Sequence, residues 1–292
     1  MENQDKHIEV KDAGIVADSP DASPNVEVAF CVDKGTVREN NEDSLGAITL
    51  GTDSSKASAE APIGLYAVAD GLGGHAGGEI ASELAIQTAI VELQENLSDT
   101  DTLMPGYYRR WLKTAVNMAN KMVRQKGQTE AKNMGTTLVL AMLIDKDVYI
   151  ANVGDSRAYL ISPDEIHQIT HDQTMVQMLV DSGTISPDEA LEHPYRNMLT
   201  QAIGTAEKVQ TDVFHETLNE DESLLLCSDG LWGTLSDTEI LEIVRRADTL
   251  NEACKTLVET CKAKVAKDNI AVVLVRLKKP DPDVTLRSKR TL

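Results

Sequence analysis

The stretch Asp70-Gly71-Leu72-Gly73-Gly74-His75-Ala76-Gly77-Gly78-Glu79 joins an apolar run, Leu65 to Ala69, to an amphipathic helical pattern, and the fold turns on how it is read. Gly71, Gly73 and Ala76 satisfy G-x-G-x-x-G/A, the strand-to-helix turn of dinucleotide-binding folds, and Glu92 and Glu95 stand near the spacing of a ribose contact. That template needs a prompt return to a second parallel strand. Here a second helical pattern, about Tyr107 to Arg124, intervenes, and the next strand pattern opens at about Thr136. The preceding strand also ends on Asp70, which would set a negative charge against a pyrophosphate. No Gly-Lys-Ser/Thr follows the glycines, so a P-loop is excluded as well. What remains is a glycine-rich loop that presents Asp70 at the end of a strand.

Outward from this loop, strand and helix patterns mix without regular alternation. Val26 to Val32 and Gly64 to Ala69 read as short strands. Gly78 to Leu97 reads as a helix with two apolar faces, one of Ala81, Leu84, Ala85, Thr88 and Val91, the other of Ile86, Ile90, Leu93 and Leu97. Thr136 to Ile144 and Val148 to Val153 flank Asp145-Lys146-Asp147 as a hairpin, and Arg157 to Ile161 and Glu165 to Ile169 extend it as a meander. Residues 172–206 are polar, with Gly183, Pro187, Pro194 and Gly204, and predict a surface excursion with short helices, one capped by Ser186-Pro187-Asp188-Glu189. Strands return at Val209 to Thr217 and Ser223 to Cys227. A capping box, Ser236-Asp237-Thr238-Glu239, opens a helix to Arg246, and the helix Glu252 to Val265 precedes a last strand, Asn269 to Leu277. Strands grouped around helical pairs predict two packed sheets flanked by helices.

Composition limits what such a fold does. The chain of 292 residues carries 47 Asp and Glu against 28 Lys and Arg, a formal charge of −19. That excludes the usual nucleic-acid reader, which meets phosphates with clustered cations. The longest apolar run, Leu138 to Ile144, is far short of a membrane span, and the acidic N-terminus does not resemble a signal peptide, so the expectation is a cytoplasmic protein. Residues 1–25 are acidic and lack apolar periodicity, which predicts a disordered arm; residues 278–292 predict a flexible basic tail. The four cysteines, Cys31, Cys227, Cys254 and Cys261, have no metal-site or redox-motif spacing and read as small, inert core residues.

Chemistry is expected where acids stand at strand ends. Asp70 and Asp229 each precede a glycine after an apolar run, Asp268 opens the last strand, Asp155 follows Val153-Gly154, and Glu42-Asp43 lies in Arg38-Glu39-Asn40-Asn41-Glu42-Asp43. Any one of them suits a turn, but together they suit hard divalent cations, which take oxygen ligands from several loops. The spacing argues against a cysteine nucleophile of the Cys-x5-Arg type, since Cys31 and Arg38 have six residues between them and no other Cys has an Arg at that spacing.

With these stretches in order, together with Gly135-Thr136-Thr137, Gly154-Asp155-Ser156-Arg157, Ser228-Asp229-Gly230 and Asp268-Asn269, the chain closely resembles the metal-dependent protein phosphatases of the 2C type, the PPM family, and its bacterial branch. The resemblance covers about residues 26–277 and implies a four-layer α-β-β-α sandwich of two central, mainly antiparallel sheets flanked by helices, with residues 172–206 as a flap. It implies a serine/threonine phosphoprotein phosphatase in bacterial signalling, using two Mn²⁺ or Mg²⁺ ions and room for a third. Asp70 would bridge the metals, with the Gly71 carbonyl on one of them. Glu42 would hold the second metal, Asp229 and Asp268 the first, and Asp155 with Asp229 a looser third. Asp43 would orient water and Arg38 would grip the substrate phosphate. Partners implied are phosphorylated proteins, Ser/Thr kinases among them, met by a monomer; the alternative is a pseudophosphatase that binds phosphoproteins without hydrolysis. Two positions depart from the family pattern. Leu72 stands where some members place a general-acid His, His75 reading as a loop residue, and Gly233 stands where many carry an acid. His193 and Arg196 in the flap would either select substrates or shield the site.

Overall fold

The apolar run Leu138–Ile144 is a strand covered on both faces, which is why it shows no polar alternation. The computed structural model describes residues 9–11, 14–18, 26–50, 63–73, 76–99, 105–130 and 132–278. A first sheet contains, in spatial order, β1 (Glu9–Lys11), β2 (Gly14–Asp18), β4 (Asp43–Leu50), β5 (Ile63–Leu72), β7 (Leu138–Ile144), β8 (Asp147–Val153) and β11 (Asp212–Thr217), with β6 (Gly135–Thr136) paired to β5. A second contains β10 (Ile166–Gln168), β9 (Arg157–Ile161), β12 (Ser223–Cys227), β13 (Ile270–Leu277) and β3 (Val26–Asp33). All pairings are antiparallel except β2 with β4. The antiparallel pairing of β5 with β7 is incompatible with a dinucleotide-binding unit.

Period-two alternation sorts the buried residues into three cores, and hence four layers. Leu65, Ala67 and Ala69 of β5 and Leu138, Leu140 and Met142 of β7 face α1 (Ala76–Asp99) and α2 (Pro105–Glu130). Their neighbours Tyr66, Val68, Val139, Ala141 and Leu143 point the other way, onto Leu224, Leu226, Ala271 and Val273 of the second sheet. The far side of that sheet, through Leu225, Val272 and Leu274, packs on α6 (Asp237–Arg246) and α7 (Leu250–Ala263). The four-layer sandwich expected from the resemblance is the observed fold.

Several local expectations need revision. β4 carries Asp43, Ser44 and Gly46 and has little strand character; Gly46 is required because a Cβ there would come within 2.7 Å of both Ile86 and Ile90 of α1. The predicted meander breaks between β8 and β9: the chain leaves the first sheet at Val153, turns on Gly154 (φ +103°), and enters the second at Arg157. Val91, expected on a buried face of α1, is 45% exposed. Within the arm expected to be disordered, Glu9–Lys11 and Gly14–Asp18 form strands, so that expectation fails there; its other residues, and the predicted tail beyond Lys278, lie outside the described residues. The capping boxes at Ser186 and Ser236 form as predicted, and the excursion contains α3 (Met175–Asp181) and α4 (Pro187–Leu191). Among the described residues, no helix is long and apolar enough to cross a membrane.

Candidate metal centre

Strand ends from both sheets meet at one pole of the sandwich. Asp43, the first residue of β4, lies directly opposite Asp70 in β5, and β8 ends just before Asp155. In the second sheet β3 ends at Asp33 opposite Ile270, and β12 ends at Cys227 opposite Val272. Asp229 and Asp268 therefore emerge beside the loop that carries Arg38 and Glu42.

Backbone groups and neutral side chains pin the loops that carry these acids. The Glu42 amide donates to Asn269 Oδ1 at 2.8 Å, and the Glu42 carbonyl accepts from the Gly71 amide at 3.1 Å and from Ser82 Oγ at 2.7 Å. Asn269 Nδ2 donates to the carbonyls of Lys34 and Asn40, both at 2.9 Å, so one amide side chain staples the whole loop. Gly71 and Gly78 permit this crowding: a Cβ on Gly71 would collide with the Gly78 carbonyl, and one on Gly78 with the Glu42 carboxylate. Asp70 is fixed through its backbone, its amide donating to Thr137 Oγ1 at 2.8 Å and its carbonyl accepting from Thr136 Oγ1 at 2.8 Å and the Thr137 amide at 2.9 Å. Buried Asp43 accepts from Ser228 Oγ at 2.6 Å, and Ser228 Oγ in turn accepts from the Ala271 amide at 2.9 Å. Asp229 opens α5 (Asp229–Trp232), and its neighbour Gly230 lies so close to the Asn269 carbonyl that no Cβ would fit. Trp232 Nε1 donates to the Asp155 carbonyl at 3.1 Å, beneath the Arg157 guanidinium at 3.6 Å, and Arg157 donates to Asp172 at 2.7 and 3.0 Å.

The electrostatic result is a concentration of uncompensated negative charge. Burial, followed by Asp43, Asp229, Asp155 and Asp268, pushes Asp70 well above the usual carboxylate range. Burial also raises Asp43, with Asp229 and Asp268 adding to it and the Ser228 hydrogen bond opposing. Asp155 is pushed up to about 8 by burial, Asp229 and Asp172, and Asp229 to about 6 by burial and Asp268. At the mouth, Arg38 donates to Asp268 at 2.6 Å with its side chain 55% exposed.

Arg38, Glu42, Asp43, Asp70, Gly71, Asp155, Asp229 and Asp268 thus share one neighbourhood, while His75 lies outside the described residues. Among the described residues, no three acids yet converge on a common point at ligating distance; Asp268 is turned to Arg38. The donor set fits hard divalent cations: it is all oxygen, strongly negative, and holds two buried carboxylate oxygens, Asp43 Oδ1 and Asp229 Oδ1, with no partner among the described residues. Gly233 is more than a missing acid, since a Cβ there would come within 2.7 Å of the Asp229 carbonyl. Asn269, Ser228 and Thr137 received no individual role from sequence; the available signal was their adjacency to the acids in the motifs already quoted.

Residues 39–274 match the family described as protein phosphatase 2C. A serine/threonine phosphatase, stp, of Listeria monocytogenes is 35% identical over 249 residues, which cover 84% of this chain and 94% of that one. The serine/threonine phosphatase PstP/Ppp of Mycobacterium tuberculosis superposes with a TM-score of 0.73 at 34% identity, over 87% of this chain and 100% of the other. A catalytic domain of serine/threonine phosphatase PstP solved with two manganese ions superposes with a TM-score of 0.71 at 32% identity, over 87% and 99%.

Proposed function

The chain belongs to the protein phosphatase 2C family, and from that premise we propose how its own residues serve a metal-dependent serine/threonine phosphatase. Carboxylates brought from both sheets to one pole, beside Arg38, are the observation that carries the proposal. Glu42, Asp70, the Gly71 carbonyl, Asp229 and Asp268 are assigned to two divalent cations, Mn²⁺ or Mg²⁺, and Asp155 with Asp229 to a third. Bound there, such ions supply Lewis acidity and acidify a water into a nucleophile near neutral pH.

The protein's own part is positioning. Arg38 binds the phosphate of a phosphorylated protein through its planar fork and offsets charge on the phosphoryl oxygens. To do so it releases Asp268, and an exposed pair of that kind contributes only about 0–1 kcal/mol, so phosphate and cations readily separate the two. Asp43, held by Ser228 through one oxygen, offers the other to accept a hydrogen bond from the attacking water. Asn269 keeps the Arg38–Glu42 loop in register with Asp268. The relatives are named as phosphatases and every acid assigned to the two cations is present, so nothing favours a pseudophosphatase. We assign residues 26–277 to the phosphatase domain, acting as a monomer in the cytoplasm on Ser/Thr kinases and their targets. Hydrolysis of an aryl phosphate with and without Mn²⁺ tests the reading; absence of metal-dependent turnover from neutral to alkaline pH overturns it.

A further inference from the structure

Cys31 is half-buried, whereas Cys227, Cys254 and Cys261 are buried. Cys31 lies on β3, the edge strand of the second sheet, on the face covered by α7. Two ties bracket it along that seam: the Leu250 amide donates to Glu27 Oε1 at 3.2 Å, and Lys262 Nζ to Asp33 Oδ2 at 3.1 Å. Cys31 is in register with Val272 of β13, and Cys254 Sγ of α7 lies 3.8 Å from the Val272 carbonyl oxygen. The Cys254 S–H donates to that carbonyl, so both sulfurs lie against Val272 and are neighbours across the β3–α7 seam. We propose that Cys31 and Cys254 are a hydroperoxide-reactive thiol pair, Cys31 attacking and Cys254 resolving, that closes into an intramolecular disulfide between β3 and α7.

The surroundings favour this division of labour. The adjacent Cys254 thiol, aided by Lys255 against burial and Asp33, lowers the Cys31 thiol to about 7, while burial raises Cys261 to about 12 and Cys227 further. The Cys31 thiolate attacks the peroxide, an S–O bond forming as the O–O bond breaks, and the leaving hydroxide takes up a proton to become water. The Cys254 sulfur then attacks the sulfenic sulfur; the S–S bond forms, the S–O bond breaks, and the Cys254 proton departs with the hydroxide as a second water. Two thiols and hydrogen peroxide thus give one disulfide and two waters, with two electrons passing from sulfur to peroxide. β3 runs directly into the loop carrying Arg38, so the pair sits on the strand that delivers the phosphate-binding side chain.

The full chain loaded with Mn²⁺ is treated with hydrogen peroxide, quenched with an alkylating agent, and mapped without reduction by mass spectrometry. The expected product has lost two hydrogens, joins the Cys31 peptide to the Cys254 peptide, and reverts with dithiothreitol. In the untreated native protein Cys31 alkylates at least roughly tenfold faster than the other three. In Cys254→Ser, Cys31 stops at the sulfenic acid and is trapped by a cyclic 1,3-diketone. A Cys31 that stays a free thiol, or that couples only to a second copy of the chain, overturns the proposal, as does a Cys254→Ser protein in which the diketone leaves Cys31 unlabelled.

Discussion

If the acids at the pole are assembled against their own repulsion to hold cations, neutralising one should stabilise the metal-free protein and weaken the loaded one. Asp229→Asn tests this with little change of shape. The carboxyl of Asp229 is raised from 3.8 to about 6, roughly two units, and each unit is worth about 1.4 kcal/mol, so its ionisation costs the folded state about 3 kcal/mol. The sign follows from the folded value lying above the unfolded one: the cost is absent below about pH 4, where both states are protonated, and complete above about pH 6. In excess chelator, Asp229→Asn should therefore match the parent near pH 4 and exceed it by about 3 kcal/mol at pH 7.5. For a domain of this size that is roughly 6–12 °C in melting temperature. In Mn²⁺ at about a thousand times its Kd the order should invert, because such a ligand stabilises the parent by about 4.1 kcal/mol and the variant has lost an assigned ligand. Thermal denaturation followed by circular dichroism, in chelator and in Mn²⁺ across this pH range, reads all four conditions. An Asp229→Asn protein no more stable than the parent at pH 7.5 in chelator would refute the reasoning, and so would an advantage that persists unchanged at pH 4.

Three further outcomes are expected. Gly78→Ala places a methyl against the Glu42 carboxylate; a displacement costing about 1–3 kcal/mol should raise the Mn²⁺ concentration for half-maximal turnover roughly ten- to hundredfold with the fold intact, and an unchanged titration removes Glu42 from the metal site. Ser228→Ala leaves the Ala271 amide and Asp43 without their shared partner, which should cost about 1–3 kcal/mol in urea denaturation. Arg38→Ala should lower kcat/KM for phosphoprotein and aryl phosphate alike while shifting stability by less than about 1 kcal/mol, because its ion pair is exposed; an unchanged kcat/KM contradicts its role.

Much of the architecture was readable because local chemistry and global position agree. Ser186 and Ser236 each cap a helix with the acid three positions on, and Asp145 takes the left-handed conformation (φ 59°) of a two-residue hairpin turn. Most of the acids at the pole were readable for a similar reason, since Asp70, Asp155 and Asp229 stand just after an apolar run stops and Asp268 just before one begins. What eluded the reading depends on neighbours distant in sequence. β4 owes Gly46 to the close approach of α1, and β9 belongs to the second sheet because Gly154 turns the chain across the seam, neither of which leaves a periodicity. The stapling by Asn269 is equally silent, because its three loop contacts span more than two hundred positions.

The seam between the sheets gives the site a mechanical character. Glu42, Asp70 and Gly71 ride on the first sheet and Asp229 and Asp268 on the second, while Val68, Val139, Leu226 and Val273 fill the space between them. Any sliding of one sheet over the other changes the spacing between the two halves of the donor set. The inter-sheet core is thus the calliper that sets the gap, and cations held at the pole as proposed would act as a rivet through both plates. A void opened at Leu226 touches none of the acids, yet it would be felt there as a loosened grip on metal.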